Sequence, residues 1–310
     1  MTFTEGVPGV SSNANFSIKL NITNAYGTYS STQITYINIT SPMTNPNETL
    51  KNENCEAYVY TDTGNLGAFV VPWWATSTYS GTIKYIVVSG GGTAGYSSQP
   101  EYKIPGYGGG GGAGGLLYCS TLSVVTPNET FFIDVGSAGE NSTLGSANFS
   151  TVTAVRGGNG GYGNPDDAGR GGDGMWGGSG GGGGSGGNWY TPDTPESSGG
   201  IARPYGQGYN GSYGLGSPVT GGGGGGAGSH GGTYIIGGAT APGGVGLVYN
   251  LTFTNLTFAE GGNSQDAGYH APRTTYGCGG TAYWTPYVGI PQNMPGNQGI
   301  VIIQACSQLT

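Results

Sequence analysis

Strict alternation of apolar and polar residues marks the first strands of the chain. Phe16, Ile18, Leu20 and Ile22 interleave with Asn15, Ser17, Lys19, Asn21 and Thr23, a period of two that predicts a strand with one buried face. Asn24-Ala25-Tyr26-Gly27 supplies a turn, and 33–40, carrying Ile34 and Tyr36, reads as the return strand. Residues 41–54 are polar and proline-marked, the pattern of a linker. From Cys55 onward the pattern changes. Strands are predicted at 57–61, 66–71, 116–125, 130–135, 149–155 and 247–258. The runs Lys84-Tyr85-Ile86-Val87-Val88 and Ile300–Ile303 are continuously apolar, as expected of central strands buried on both faces. No long stripe of period 3.6 occurs, so helix is not expected. The division is therefore a hairpin (1–40), a linker (41–54) and a β domain (55–310).

Between these strands lies glycine, 69 of 310 residues. Glycine has no side chain to bury and loses the most entropy on ordering, so such content usually signals disorder or a repetitive backbone lattice. The 22 tyrosines, 8 phenylalanines and 5 tryptophans argue for order, because disordered segments are poor in aromatics. No strict Gly-X-Y period runs through the tracts, which excludes collagen. Extended three-residue-per-turn helices remain. Their N–H and C=O groups point outward, and glycine lets neighbouring backbones satisfy one another at close range. The fold class expected is all-β, a sandwich or jelly-roll-like base with interleaved segments of polyglycine II type and an N-terminal hairpin extension.

Charge removes several function classes. The formal net charge is −8 with no basic cluster, so nothing attracts a phosphate backbone and nucleic acid is not an expected partner. No apolar run is long enough for a membrane-spanning helix. The first thirteen residues show no basic start followed by an apolar core, so no signal peptide is expected within this chain. Asn-x-Ser/Thr tripeptides nevertheless occur ten times, at Asn15, Asn21, Asn38, Asn47, Asn128, Asn141, Asn148, Asn210, Asn250 and Asn255, about twice the roughly four or five that chance gives for this acceptor pattern. They point to a secretory pathway, a cell- or virion-surface location and covalent N-glycans. No other cofactor is expected.

Four cysteines without a CxxC spacing fit disulfides of an oxidising compartment. Of three connectivities, Cys55–Cys306 with Cys119–Cys278 is favoured, the first tying the start of the domain to its last strand. Two histidines complete no zinc site. Ser179 and Ser185 match the GxSxG nucleophile pattern, but only trivially within glycine tracts and without the following helix. Asp166, Asp167 and Asp173 form the acidic cluster of the glycine region, read as a solvated loop rather than a calcium site. No catalytic residue and no metal ligand is assigned. Trp73-Trp74, Trp189-Tyr190 and Tyr283-Trp284 suit either sugar stacking or an interface, with structural use favoured.

Two resemblances follow from these residues. Leu20-Asn21-Ile22-Thr23-Asn24-Ala25-Tyr26-Gly27 resembles the last strands of an immunoglobulin-like domain of the PKD type. Lys84 to Gly92, then Gly108 to Leu116, then the closing Gly299 to Ile303 resemble a glycine-rich domain family of viral, phage-tail and other extracellular proteins. That family implies a β-structured base with stacked glycine segments, and roles in fibre tips, adhesion or surface structures. It carries no catalytic residues to transfer, and the sequons and cysteines depart from its phage members.

An isolated hairpin is marginal in water. Three placements are open: a remnant of a longer chain, packing on its own domain, or strand addition to another copy through Phe16, Ile18, Leu20, Ile22, Ile34 and Tyr36. The leading expectation is a self-assembling subunit of an extracellular filament, a homopolymer joined head-to-tail. The alternative is an adhesin at a fibre tip that binds surface glycans or a host receptor.

Overall fold

The computed structural model describes residues 16–17, 36–37, 44–76, 81–97, 106–122, 126–164, 170–186, 197–216, 219–233, 241–264, 275–283 and 292–307. The chain is all-β, and among the described residues the one helical element is a 3-10 turn at Trp73–Ala75. Its strands are β1 (Phe16–Ser17), β2 (Tyr36–Ile37), β3 (Glu48–Lys51), β4 (Cys55–Tyr60), β5 (Gly67–Val70) and β6 (Thr82–Val88). There follow β7 (Leu116–Leu122), β8 (Thr130–Asp134), β9 (Ser142–Ser146), β10 (Val152–Ala154), β11 (Leu215–Gly216) and β12 (Val219–Thr220). The last are β13 (Leu247–Tyr249), β14 (Leu256–Phe258), β15 (Ala282–Tyr283), β16 (Gln292–Asn293) and β17 (Ile300–Cys306).

Two antiparallel sheets make the base, in the orders β3-β4-β17-β6-β7 and β10-β9-β8-β5. Alternation along each strand sends side chains to opposite faces. In the larger sheet Tyr60, Ile83, Tyr85, Val87, Val301 and Ile303 face the smaller one and meet its Phe69, Phe131, Ile133 and Leu144. The other residues of the same strands, Val59, Ile86, Val88, Ile300 and Ile302, face away. They are covered by Leu251 and Phe258 of the β13–β14 hairpin and by Ala113 and Ala227 of the glycine region. A sheet covered on both sides needs apolar residues at consecutive positions, which is why these runs do not alternate. Each such side chain contributes about 1.5–3 kcal/mol of burial.

Several expectations are corrected. Residues 41–54 are not a linker throughout. Thr44 bridges Gly67, and β3 is an edge strand of the main sheet, with Leu50 opposite Ala57. Its alternation is too short to stand out from the polar residues around it. The stretch 142–146 was not expected as a strand, because Gly145 and three hydroxyl residues mask its one large apolar residue, Leu144. Cys55 and Cys306 are disulfide-bonded across the β4–β17 register, but Cys119 and Cys278 are not joined. Cys119 stands opposite Tyr85, whereas Cys278 lies against Gly91, its carbonyl 1.9 Å from where a Gly91 β-carbon would be. Six residues of extended chain separate those levels, roughly 20 Å, far beyond the reach of a disulfide. Of the N-terminal hairpin, Phe16 pairs with Ile37 and Ser17 with Tyr36. The turn at 24–27, with Ile18, Leu20, Ile22 and Ile34, lies outside the described residues.

Candidate functional site: a glycine lattice with a side-chain rim

β6, β10 and the β14 strand run directly into glycine segments, and β7, β13 and β17 emerge from them. All of these junctions lie at the Val88, Leu116 and Ile300 end of the main sheet, so the glycine segments stand on one end of the sandwich. They pair at every third residue. Gly157, Gly160 and Gly163 donate to the carbonyls of Gly90, Thr93 and Tyr96, each at 2.9 Å. Ser89, Gly92 and Gly95 donate to Gly115, Gly112 and Gly109 at 3.1, 2.9 and 2.8 Å. The first pair of segments is parallel and the second antiparallel. The step of three is the repeat of a three-residue-per-turn helix, in which every third N–H points the same way.

The segment 178–186 shows what this geometry achieves. Its N–H groups fan out in three directions. Ser179, Gly182 and Ser185 donate to Ala113, Gly110 and Tyr107, Gly180 and Gly183 to Tyr209 and Ser212, and Gly181 and Gly184 to Met175 and Gly172. Its carbonyls fan out in the three directions between. Those of Ser179, Gly182 and Ser185 accept from Gly158, Gly161 and Asn164, those of Gly180 and Gly183 from Gly225 and Gly222, and that of Gly181 from Gly200. Ser197 Oγ donates to the Gly184 carbonyl. The segment is thus the centre of a hexagonal array, ringed by the six segments 106–115, 156–164, 170–177, 197–203, 207–214 and 219–227. From 179 to 185 every backbone donor and acceptor is satisfied, as burial demands.

Glycine is required by distance, not by turn geometry. A β-carbon on Gly182 would fall 1.9 Å from the Gly222 oxygen, and one on Gly184 1.9 Å from the Tyr162 oxygen. Interior segments are accordingly glycine with isolated Ser or Ala, and all of 108–115, 178–186 and 221–227 is buried. Segments at the lattice surface read differently. Arg156, Asn159 and Tyr162 follow one another at steps of three with glycine between, and Arg170, Asp173 and Trp176 keep the same step, with Met175 the one position between them that is not glycine. Along 156–162 one residue in three faces outward and keeps a side chain; in 170–176 Met175 is exposed beside Trp176 as well.

These outward side chains touch across neighbouring segments. The rings of Tyr96 and Tyr162 stack at 5.6 Å and 13°. The Arg156 guanidinium lies 5.9 Å from the Trp176 ring centroid, a cation–π contact. Arg170 pairs with Asp173, whose carboxylate also accepts the Ser198 N–H at 2.7 Å. Asn159 Oδ1 accepts the Thr93 N–H at 3.0 Å. Met175, Trp176, Ile201 and Tyr205 are exposed beside this rim.

The residues singled out by sequence fall into this frame. Ser179 is fully buried in the lattice centre, and Ser185 Oγ accepts the Tyr107 N–H at 2.7 Å. Both serve as lattice residues, and among the described residues no histidine stands beside them: His230 is at the surface, edge-on to Tyr209 at 4.9 Å, and His270 is outside the described residues. Asp166 and Asp167 are likewise outside, and Asp173 is committed to Arg170. Trp73 is exposed while Trp74 packs on the sandwich core; Trp189, Tyr190 and Trp284 are outside the described residues. Among the described residues no group of three His, Cys, Asp or Glu is placed to hold a metal. No helix of the described chain is long and apolar enough to cross a membrane. Of the described sequons, Asn47, Asn128, Asn141, Asn148, Asn250 and Asn255 are exposed and Asn210 is half-buried.

A family model described as a glycine-rich domain matches residues 61–306. No match is found among curated proteins.

Proposed function

The chain belongs to the glycine-rich domain family, and from that membership we propose that it is a structural, non-enzymatic glycoprotein of an extracellular surface, a subunit of a filament or fibre. The observation that carries this reading is the saturation of segment 178–186 by six neighbours. A backbone so fully paired keeps no donor or acceptor between 179 and 185 for a substrate and gives a stiff, closely packed body, a property of material rather than of a catalyst. The disulfide between Cys55 and Cys306 agrees with an oxidising, extracellular setting.

Subunits join head-to-tail by strand addition in this proposal, the N-terminal hairpin of one copy pairing with a sheet edge of the next. The two edges of the main sheet are unlike. β3 is four residues long and carries Glu48 and Lys51, whereas β7 is seven residues long, Leu-Leu-Tyr-Cys-Ser-Thr-Leu, without charge or proline. Edges that must stay unpaired are normally short, charged or interrupted by proline. β7 has none of these three protections, its irregularity of register with β6 being limited to the stretch between Cys119 and Leu122, and it is the acceptor edge in this proposal. The test is negative-stain microscopy of the full chain beside a variant lacking residues 1–40. Polymers from the full chain and folded monomers from the variant support the proposal; equal polymerisation, or monomers from both, overturns it.

The exposed side chains of Met175, Trp176, Ile201 and Tyr205 favour a second reading, an adhesin that uses the lattice rim for recognition. A monomer that binds defined structures on a glycan array, and loses them on Trp176→Ala, would establish it.

A further inference from the structure

We infer that, among the described sequons, N-linked glycans are confined to Asn128, Asn148, Asn250 and Asn255, at the end of the sandwich remote from the glycine lattice, and that Asn210 within the lattice carries none. The inference rests on the glycoprotein reading above and adds to it where the carbohydrate sits.

The end of the molecule to which each sequon belongs follows from strand register. Ser142, at the start of β9, donates its hydroxyl to the Val88 carbonyl at 2.9 Å, which fixes that end of β9 beside the lattice. β9 pairs antiparallel with β8 and β10, Asp134 opposite Thr143 and Ala154 opposite Ser142. Asn128, before β8, and Asn148, between β9 and β10, therefore lie at the far end. In the third hairpin Leu247 stands opposite Phe258 and Tyr249 opposite Leu256. The Ala227 N–H reaches the Ala259 carbonyl at 2.9 Å, so its open end faces the lattice and its loop, with Asn250 and Asn255, points away. The Leu251 carbonyl accepts from Gln304 Nε2 at 2.9 Å, holding that loop over the far half of β17.

The seven described sequons also divide by what the carboxamide does. Asn128, Asn148, Asn250 and Asn255 are exposed on connections, and among the described residues their side chains make no hydrogen bond. The other three are structural. Asn47 Oδ1 accepts the N–H groups of Thr61 and Asp62 at 2.7 and 3.3 Å. Asn141 Oδ1 accepts the Arg156 N–H at 2.8 Å, where β10 passes into the lattice. Asn210 Oδ1 accepts the Ala202 N–H at 2.8 Å, and its backbone carbonyl accepts from Gly231 at 3.0 Å. Asn210 is thereby wedged between two lattice segments.

Glycosylation forms a bond from Asn Nδ2 to C1 of an oligosaccharide. Nδ2 loses one proton to the transferase's base, and the C1–O bond to a lipid-linked phosphate donor breaks, the lipid phosphate leaving with the electron pair. The nitrogen must reach that donor, and where a backbone N–H pins Oδ1, as at Asn47, Asn141 and Asn210, the carboxamide is not free to turn and present it. Segments paired at every third residue leave no room for a sugar at Asn210, so chains modified there do not close the lattice. The result is a two-ended molecule: a hydrated, carbohydrate-bearing end, and a bare body whose rim is open to contact.

The chain secreted from a eukaryotic host is digested to peptides, and N-glycans are released enzymatically in heavy-oxygen water. Each formerly occupied Asn then appears as labelled Asp. Mean occupancy at Asn128, Asn148, Asn250 and Asn255 is expected to exceed that at Asn47, Asn141 and Asn210 at least tenfold. A smaller ratio, or labelling confined to Asn15, Asn21 and Asn38, overturns the placement and leaves the glycoprotein reading standing. No labelled Asp anywhere overturns both.

Discussion

The carbonyl oxygen of Gly200 lies 1.9 Å from the point where a β-carbon on Gly180 would be placed. The two backbones touch, and both are held by bonds to further segments, the Gly180 N–H donating to Tyr209 at 3.0 Å and the Gly200 carbonyl accepting from Gly211 at 3.0 Å. Neither can retreat without breaking bonds to the rest of the array. Gly180→Ala is therefore expected to cost more than about 4 kcal/mol, the range reached only by severe core disruptions, and to yield insoluble or lattice-unfolded protein. Val245→Ser at the rim, where the side chain is exposed, is expected to stay within about 0.5 kcal/mol of the parent. Urea unfolding of both variants measures the contrast, and equal midpoints would refute the packing account.

This contrast also explains what the sequence disclosed. The buried runs at 84–88 and 300–303 identified the central strands, because both faces of that sheet are covered. The Cys55–Cys306 bond followed from the expectation that first and last strands are neighbours. The lattice was legible as a possibility, since outward-pointing backbone groups on glycine tracts can only be met by other tracts. Its inside and outside were not distinguished, although the signal is present: uninterrupted glycine at 180–184 and 221–226 is interior, and residues at steps of three, as in Arg156, Asn159 and Tyr162, mark a surface segment. A search for one period through all the tracts averages the two classes and finds none. Which segments become neighbours was not legible, because glycine backbones are chemically identical and carry no pairing code. The pairing is set by the strands that deliver each segment.

Gly139 tests a different property of glycine. Its φ is +76° and nothing lies within 4 Å of a β-carbon built on it, so a substitution there meets strain and not collision. Gly139→Ala is expected to cost about 1–2 kcal/mol, the penalty of the left-handed region for an L-residue. Gly139→Asn should cost less, since Asn tolerates that region. Thermal melts of the two variants decide it, and an alanine variant as damaging as Gly180→Ala would show that this turn is packed more tightly than described.

The cysteines should divide into one bond and two thiols. Denatured, unreduced protein is expected to react with a thiol reagent at two sites, Cys119 and Cys278, and peptide mapping should recover Cys55 linked to Cys306. In the folded state Cys119, on the edge strand and half-buried, should react first, while Cys278 is 2% exposed. The bond closes nearly the whole domain, with a sequence separation of 251. Loop-closure entropy then assigns it roughly 5–6 kcal/mol, so Cys306→Ser should lower the urea midpoint strongly. A midpoint unchanged by that substitution would mean the ends of the domain are held without the bond.

Stability should fail on the alkaline side. Burial raises the hydroxyl pKa of Tyr60, whose O–H donates to the Ala68 carbonyl at 2.8 Å. Burial raises that of Tyr58 as well, assisted by its bond to the Glu56 carboxylate at 2.5 Å. Tyr85, Tyr107 and Tyr249 are pushed up by burial too, Tyr85 with a contribution from Cys119 and Tyr249 with one from Tyr118. A group whose pKa is raised by folding holds its proton more tightly in the native state. Below the unfolded value of about 10 both states are protonated and the full stabilisation is present. Above it the unfolded chain ionises first and the stabilisation is lost progressively as pH rises toward the folded values. The unfolding midpoint should accordingly be insensitive to this group from neutral pH to about 10 and fall beyond it. Tyrosinate absorbance should rise in two phases, exposed rings first and the buried set only as the sandwich opens. Tyr60→Phe removes one proton from that linkage and should shallow the alkaline slope without changing its sign. A single reversible titration of all 22 tyrosines, with the near-ultraviolet dichroism intact throughout, would contradict the assignment.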